Sequence, residues 1–214
     1  MKTPNTALLP IAYFPPISYF AAFLHFGHIV IEQCEHYQKG GLRNRCYIAT
    51  SNGPLRLTVP LLKGKHQQLP IREVRIDYRG PWIKNHWHAI ESAYRKAPFY
   101  EEYAAYLLPV FQQKPTFLYD LNFAFLELLL KFLQIPVQPS LSNSYMVDTG
   151  NWADLRPSFQ SNSNIENNLP WFKATPYPQV FEDRQGFQPH LSALDLLLCA
   201  GPQGRSLLAK GIGQ

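Results

Sequence analysis

The chain has 214 residues, 46% hydrophobic and only 16% charged, which excludes a disordered chain and gives room for one substantial core. Its net charge of +5 is unevenly spread: residues 39–96 hold twelve Lys/Arg against three acids, a local +9, and the remainder carries −4. Such a span either attracts anionic partners or serves as a solvated surface. Nineteen prolines argue against a plain helical bundle and for long, shaped loops.

The first apolar stretch, residues 8–26, is uncharged and as long as a membrane span. It also contains Pro10, Pro15, Pro16 and His25, and prolines so near its start break a continuous helix. Lys2 precedes apolar residues, but no small-x-small cleavage site follows. We therefore expect a strand at 8–14, a proline turn and a short helix at 18–26, with no transmembrane span and a cytoplasmic location. HIVIEQC (28–34) and RCYIATS (45–51) read as strands joined by the basic loop HYQKGGLRNR (36–45). Asn52-Gly53, between RCYIATS and PLRLTVPL, is a hairpin signal. Residues 71–77, IREVRID, alternate as a half-exposed strand.

Helices follow. Asn85 can cap a helix at 86–96, with Trp87, Ile90, Tyr94 and Ala97 on one face. Residues 99–111 read as a second helix with Tyr103, Tyr106 and Leu107 inward. Thr116 can cap a third at 117–133, apolar nearly all round and so central. Residues 134–144 read as strand and loop. Residues 146–168 form a long polar connection, either a lid or a simple insertion. Ser192 opens a last helix, Ala193–Ala200, stopped by Gly201-Pro202. The whole chain, 1–214, reads as a single domain. Its class is α/β or α+β: a mixed sheet built mainly from the N-terminal half, covered by helices from the middle and C-terminal parts.

The segments ALLPIAYFPPISYF, YQKGGLRNR, NGPLRLTVPL, NHWHAIESAYRKAPFY and GFQPHLSALDLL together resemble the WbqC-like protein family over most of the chain. The resemblance implies a role in bacterial surface-polysaccharide (O-antigen-type) biosynthesis. A transferase activity, including transfer of glycine to a sugar, has been suggested for the family. Many members carry acids just before the YxK segment. Here Gln33, Cys34 and Glu35 stand there, so Glu35 or Glu32 would have to replace such an acid.

Residue chemistry supplies candidates beside the resemblance. Lys39, Arg43, Asn44 and Arg45, around Gly40-Gly41, suit an anion clamp for a pyrophosphate or carboxylate; the alternative is an exposed basic turn. His36, near Glu32 and Glu35, is either a general base or a packed histidine. His86, at the start of its helix, would be kept neutral by the helix dipole and is either a base or core. Asp120 and Asn122 interrupt an apolar helix and would orient an acceptor. Tyr37, with Tyr13, Trp82, Trp87 and Trp171, offers rings for stacking on sugars. Cys34, Cys46 and Cys199 are too few and odd in number for a disulfide framework, and without a C-x-x-C pair they predict no metal site. No cofactor is expected: no Walker loop and no G-x-G-x-x-G is present. Ser192-x-x-Asp195 is a capping box and not part of a hydrolase triad.

The expected function is a transferase moving a small acyl (glycyl is one case) or glycosyl group onto an anionic carbohydrate such as a nucleotide-sugar. The alternative is a non-catalytic protein that binds a glycan intermediate or another glycan-biosynthesis enzyme. Nucleic acid is not an expected partner, since no RNA-binding motif accompanies the basic span.

Overall fold

Thr6–Pro10 (β1) and His28–Glu32 (β2) are short apolar runs buried on both faces, the pattern of parallel strands covered by helices. The computed structural model describes residues 4–62, 68–160 and 168–213. Ile17–His25 (α1) crosses from β1 to β2. Two short strands complete the sheet: Ser140–Leu141 (β5) beside β2 and Ala153–Asp154 (β6) beside β1. The order is β5-β2-β1-β6, all parallel. Arg45–Ile48 (β3) and Leu55–Thr58 (β4) form a separate antiparallel hairpin. Its turn closes by mutual bonds of Thr50 and Gly53, with Gly53 at φ +103°. Strands of the two directions thus occupy two sheets.

Three long helices follow: Trp82–Tyr94 (α2), Tyr100–Gln112 (α3) and Leu118–Phe132 (α4). The later helices are Glu182–Gln185 (α5), Ala193–Ala200 (α6) and Gly204–Lys210 (α7). All eight residues of α6 are buried. It packs against α1, α2, α3, α4 and α7 and is the central helix. By contrast α4 has a wide buried face, while Asp120, Glu127 and Lys131 point to solvent.

Several local expectations are corrected. Residues 71–77 are not a strand: Ile71–Glu73 is a 3-10 turn, followed by isolated bridges Leu61–Ile76 and Arg75–Phe117. Pro70 starts that turn, and burial of Ile71, Val74 and Ile76 holds it in place. Helix α2 begins four residues earlier than expected, after Gly80-Pro81, so Asn85 is inside it and caps nothing. Phe117, not Thr116, is the N-cap position of α4, and no side chain caps it. Tyr106 is 55% exposed, because α3 buries the face of Tyr103, Leu107 and Val110. The Ser192 hydroxyl does cap α6, accepting from Leu194 N–H at 3.2 Å. The polar connection expected at 146–168 contains β6 and a 3-10 turn, Pro157–Phe159; residues 161–167 lie outside the described residues.

Candidate functional site

In open parallel sheets ligands bind beyond the carboxyl ends of the strands. Here that edge gathers an unusual amount of buried charge. Glu32, the last residue of β2, is fully buried. It accepts from Cys34 N–H (2.8 Å), the Ser142 hydroxyl (2.6 Å), Met146 N–H (3.0 Å) and Arg156 Nη1 (3.3 Å). Arg156 in turn clamps Asp154 at the end of β6 through Nε (2.9 Å) and Nη2 (2.7 Å). Burial opposes the Asp154 charge, yet the bonds from Arg156 hold its carboxyl below the usual range. One carboxylate therefore ties together segments following β2 and β5 with the segment following β6.

Glu35 lies three residues on and is also buried. Arg43, the largest fully buried side chain, grips it in a two-pronged pair through Nε (2.7 Å) and Nη2. Gly41 suits a close approach here: a Cβ would lie 3.1 Å from both Arg43 Nη1 and the Gln160 carbonyl, so these neighbours would have to give way by a few tenths of an ångström. Asn122, fully buried on α4, donates to the Arg43 carbonyl at 2.7 Å. Arg43 and Asn122 thus form an internal brace under the basic loop. The anion clamp expected from Lys39, Arg43, Asn44 and Arg45 does not include the Arg43 fork, because Glu35 already occupies it.

The rest of the loop faces a cavity of about 180 Å³ lined by Tyr37, Lys39, Asn44, Arg45 and residues Thr58 to Leu61. Two cations and no carboxylate line it. Asn44 is fixed by donating to the Val59 carbonyl (2.9 Å) and accepting from the Tyr37 hydroxyl (3.0 Å). Burial raises the Tyr37 pKa, with Arg45 and Arg43 pulling the other way. Arg45 makes one long bond to the Gly40 carbonyl (3.4 Å), and its buried Nε has no protein partner. Lys39 is exposed, and Gly40 turns the chain at φ +99°.

His36 is exposed between buried Glu35 and Tyr37, where its backbone bridges Pro70. His86 is buried one turn inside α2. Its Nδ1 lies 3.0 Å from the Tyr13 hydroxyl. Burial pushes its pKa down to about 4, against a bond to the Thr58 backbone that works upward. Burial is the main cause that favours the neutral ring. Since Thr58 lines the cavity, His86 stands directly behind the cavity wall. Asp120 is exposed in the first turn of α4, in none of the contacts above. Of the proposed stacking rings, Tyr13, Tyr37 and Trp82 are buried, while Trp87 is half-buried and Trp171 stacks on His25 at 4.4 Å.

The sequence reading assigned no role to Arg156 or Ser142. The only available signal was an acid ending the apolar run HIVIE, which needs partners if the strand is covered on both sides. Among the described residues no group of three or more His, Cys, Asp or Glu could hold a metal, and no helix is long and apolar enough to cross a membrane.

Comparison with known proteins places these features in a lineage. The chain is similar to the uncharacterized protein Rv1507c of Mycobacterium tuberculosis, 29% identical over 95% of this chain and 97% of that protein. No solved structure matches. The family model described as the WbqC-like protein family matches residues 11–156. That stretch runs from the end of β1 to Arg156 and contains both buried ion pairs and the cationic cavity, so the chain belongs to the WbqC-like protein family.

Proposed function

We propose that this protein is a cytoplasmic transferase of bacterial surface-polysaccharide biosynthesis, moving a small acyl group, glycyl being one case, or a glycosyl group onto an anionic carbohydrate such as a nucleotide-sugar. The observation that carries this reading is the cavity lined by Tyr37, Lys39, Asn44 and Arg45, with two cations and no opposing carboxylate. A phosphate or carboxylate entering it meets the Lys39 ammonium and the Arg45 guanidinium. Arg43 and Asn122 act as positioning residues, holding the loop backbone. His86 positions Thr58 in the wall. His36 is assigned the base that takes the proton from the acceptor amine or hydroxyl as it attacks the donor carbon, and the leaving group departs with the bonding pair. Asp120 has no role in this scheme.

Burial of His86 as a neutral, bonded ring favours one second reading, a non-catalytic protein that binds a glycan intermediate or another biosynthetic enzyme. A thermal-shift titration with nucleotide-sugars tests both. At a hundredfold excess over Kd a ligand adds about 2.7 kcal/mol, roughly 5–10 °C for a domain of this size. Lys39→Ala/Arg45→Ala should keep the ligand-free melting temperature and lose the shift; an undiminished shift would refute the site. His36→Ala should keep the shift and lose group transfer. Transfer that survives in His36→Ala removes the base role, and binding without transfer in the wild type favours the second reading.

A further inference from the structure

A larger cleft lies between the start of α2 and the end of α3. It measures about 610 Å³ and its lining includes Tyr78, Arg79, Lys84, Trp87, Leu108 and Lys114. Three cations and no carboxylate line it. Arg79 is partly neutralised by Asp77, its Nε lying 2.9 Å from Oδ1. Lys84 and Lys114 enter no salt bridge among the described residues.

Both lysines occupy positions that are locally unfavourable. Lys84 stands in the first turn of α2, where the helix dipole repels a cation. That turn contains no acid and no side-chain cap, and its first backbone bond is Asn85 N–H to the Pro81 carbonyl. The N–H groups of Trp82, Ile83 and Lys84 therefore have no acceptor within the helix. Lys114 follows α3 in the left-handed region at φ +48°. A non-glycine residue there costs roughly 1–2 kcal/mol, and glycine is the usual occupant. An anion in the cleft would offset the repulsion at Lys84 and give the Lys114 ammonium a partner.

The aromatic half of the cleft points to a ring. Trp87 is half-buried, held edge-on by Phe111 with centroids 6.4 Å apart. The Tyr78 hydroxyl is used internally, donating to the Pro115 carbonyl at 2.7 Å, so the ring itself is what the cleft receives from Tyr78. The volume falls in the range of small-molecule sites and exceeds what a lone phosphate fills. We propose that this cleft is a second binding site, for a phosphate ester carried on a sugar or nucleoside ring, with Lys84, Lys114 and the α2 N-terminus on the phosphate and Trp87 against the ring.

This inference does not depend on the first cavity. The two are neighbours, however: Asp77 N–H bonds the Pro60 carbonyl (2.9 Å) and Leu62 N–H the Arg75 carbonyl (2.9 Å). Pro60 and Leu61 line one cavity, and Tyr78 and Arg79 line the other. A single bridged pair of segments thus separates them, an arrangement suited to two substrates.

The test is ¹⁹F NMR of protein labelled with 5-fluorotryptophan, the Trp87 signal being assigned with Trp87→Phe. Glucose 1-phosphate, uridine monophosphate and glucose are titrated separately. The Trp87 signal should move saturably with at least one phosphate ester, the better one identifying the ring, and not with glucose. Lys84→Ala/Lys114→Gly, whose glycine suits the left-handed backbone, should weaken the apparent affinity about tenfold or more. Its melting temperature should not fall, and the signals of the other tryptophans should stay in place. Lys39→Ala/Arg45→Ala should retain the Trp87 response. A Trp87 signal unmoved by both esters, or moved equally in Lys84→Ala/Lys114→Gly, overturns the proposal. Loss of the response in Lys39→Ala/Arg45→Ala instead would put the phosphate in the first cavity and overturn it as well.

Discussion

Replacing Arg43 by alanine separates the internal brace from the anion clamp that the loop sequence suggests. Arg43 is 1% exposed and Glu35 2% exposed, and the two share a two-pronged pair. Removing the guanidinium leaves a buried carboxylate without its counter-charge, which costs about 3–5 kcal/mol. Against a total stability of about 5–15 kcal/mol that is a large fraction. For a chain of this size it corresponds to a fall of roughly 6–20 °C in melting temperature. Arg43→Lys should also destabilise, because an ammonium cannot reproduce the planar fork. Arg43→Met/Glu35→Leu should recover much of the loss, since neither charge then remains buried. Urea unfolding of the four proteins, followed by circular dichroism, gives the comparison. If Arg43→Ala keeps wild-type stability and loses only ligand binding, the fork serves a ligand and the brace argument fails.

Two more perturbations test the framework around the cavity. The His86 ring protonates near 6.5 in the unfolded chain and only near about 4 when folded. Its contribution is therefore complete above pH 6.5 and is lost as pH falls towards 4, amounting to roughly 3 kcal/mol. His86→Gln should flatten the stability profile in that window, measured by urea midpoints from pH 4 to 7.5; an unchanged slope would assign the titration elsewhere. Glu32→Gln should destabilise by about 3 kcal/mol or more, because an amide turns donors toward Met146 N–H and Arg156. Faster amide exchange at Met146 would accompany it, and wild-type protection there would refute the role of Glu32 as a tie.

Much of the scaffold was legible because it rests on local rules. The covered strands β1 and β2, the Asn52-Gly53 hairpin and the Ser192 cap each follow from a few adjacent residues. Strand β5 falls within the strand and loop expected at 134–144, but its pairing with β2, and the two-residue strand β6 beside β1, were not legible, since they come from tertiary register and not from any apolar run of their own. Residues 71–77 alternate like a strand, yet Pro70 and the burial of Ile71, Val74 and Ile76 impose a turn. In the loop the residue types were informative and their partners were not. Arg43 and Arg45 are equivalent in composition, and only the fold shows that Glu35 faces one of them. Asp120 and Asn122 likewise differ only by the helical phase of α4, which buries the second and exposes the first.

Burial therefore separates two kinds of charge in and around the basic span, with opposite energetics. Arg43, with Arg156 beyond the span, is desolvated, so it is stable only beside Glu35 or beside Glu32 and Asp154. Removing such a cation damages the fold whether or not a ligand is present. Lys39, Arg45 and Lys84, with Lys114 beyond the span, face cavities without a carboxylate in the lining. A cation there is held by no buried counter-charge, so its removal does not unfold the empty protein and its loss is felt chiefly when ligand binds. Net charge predicts the same consequence for each of these residues, whereas burial predicts loss of folding for the first group and loss of binding for the second. The basic stretch therefore has to be dissected residue by residue: neutralising it as a block would combine a folding defect with a binding defect and identify neither.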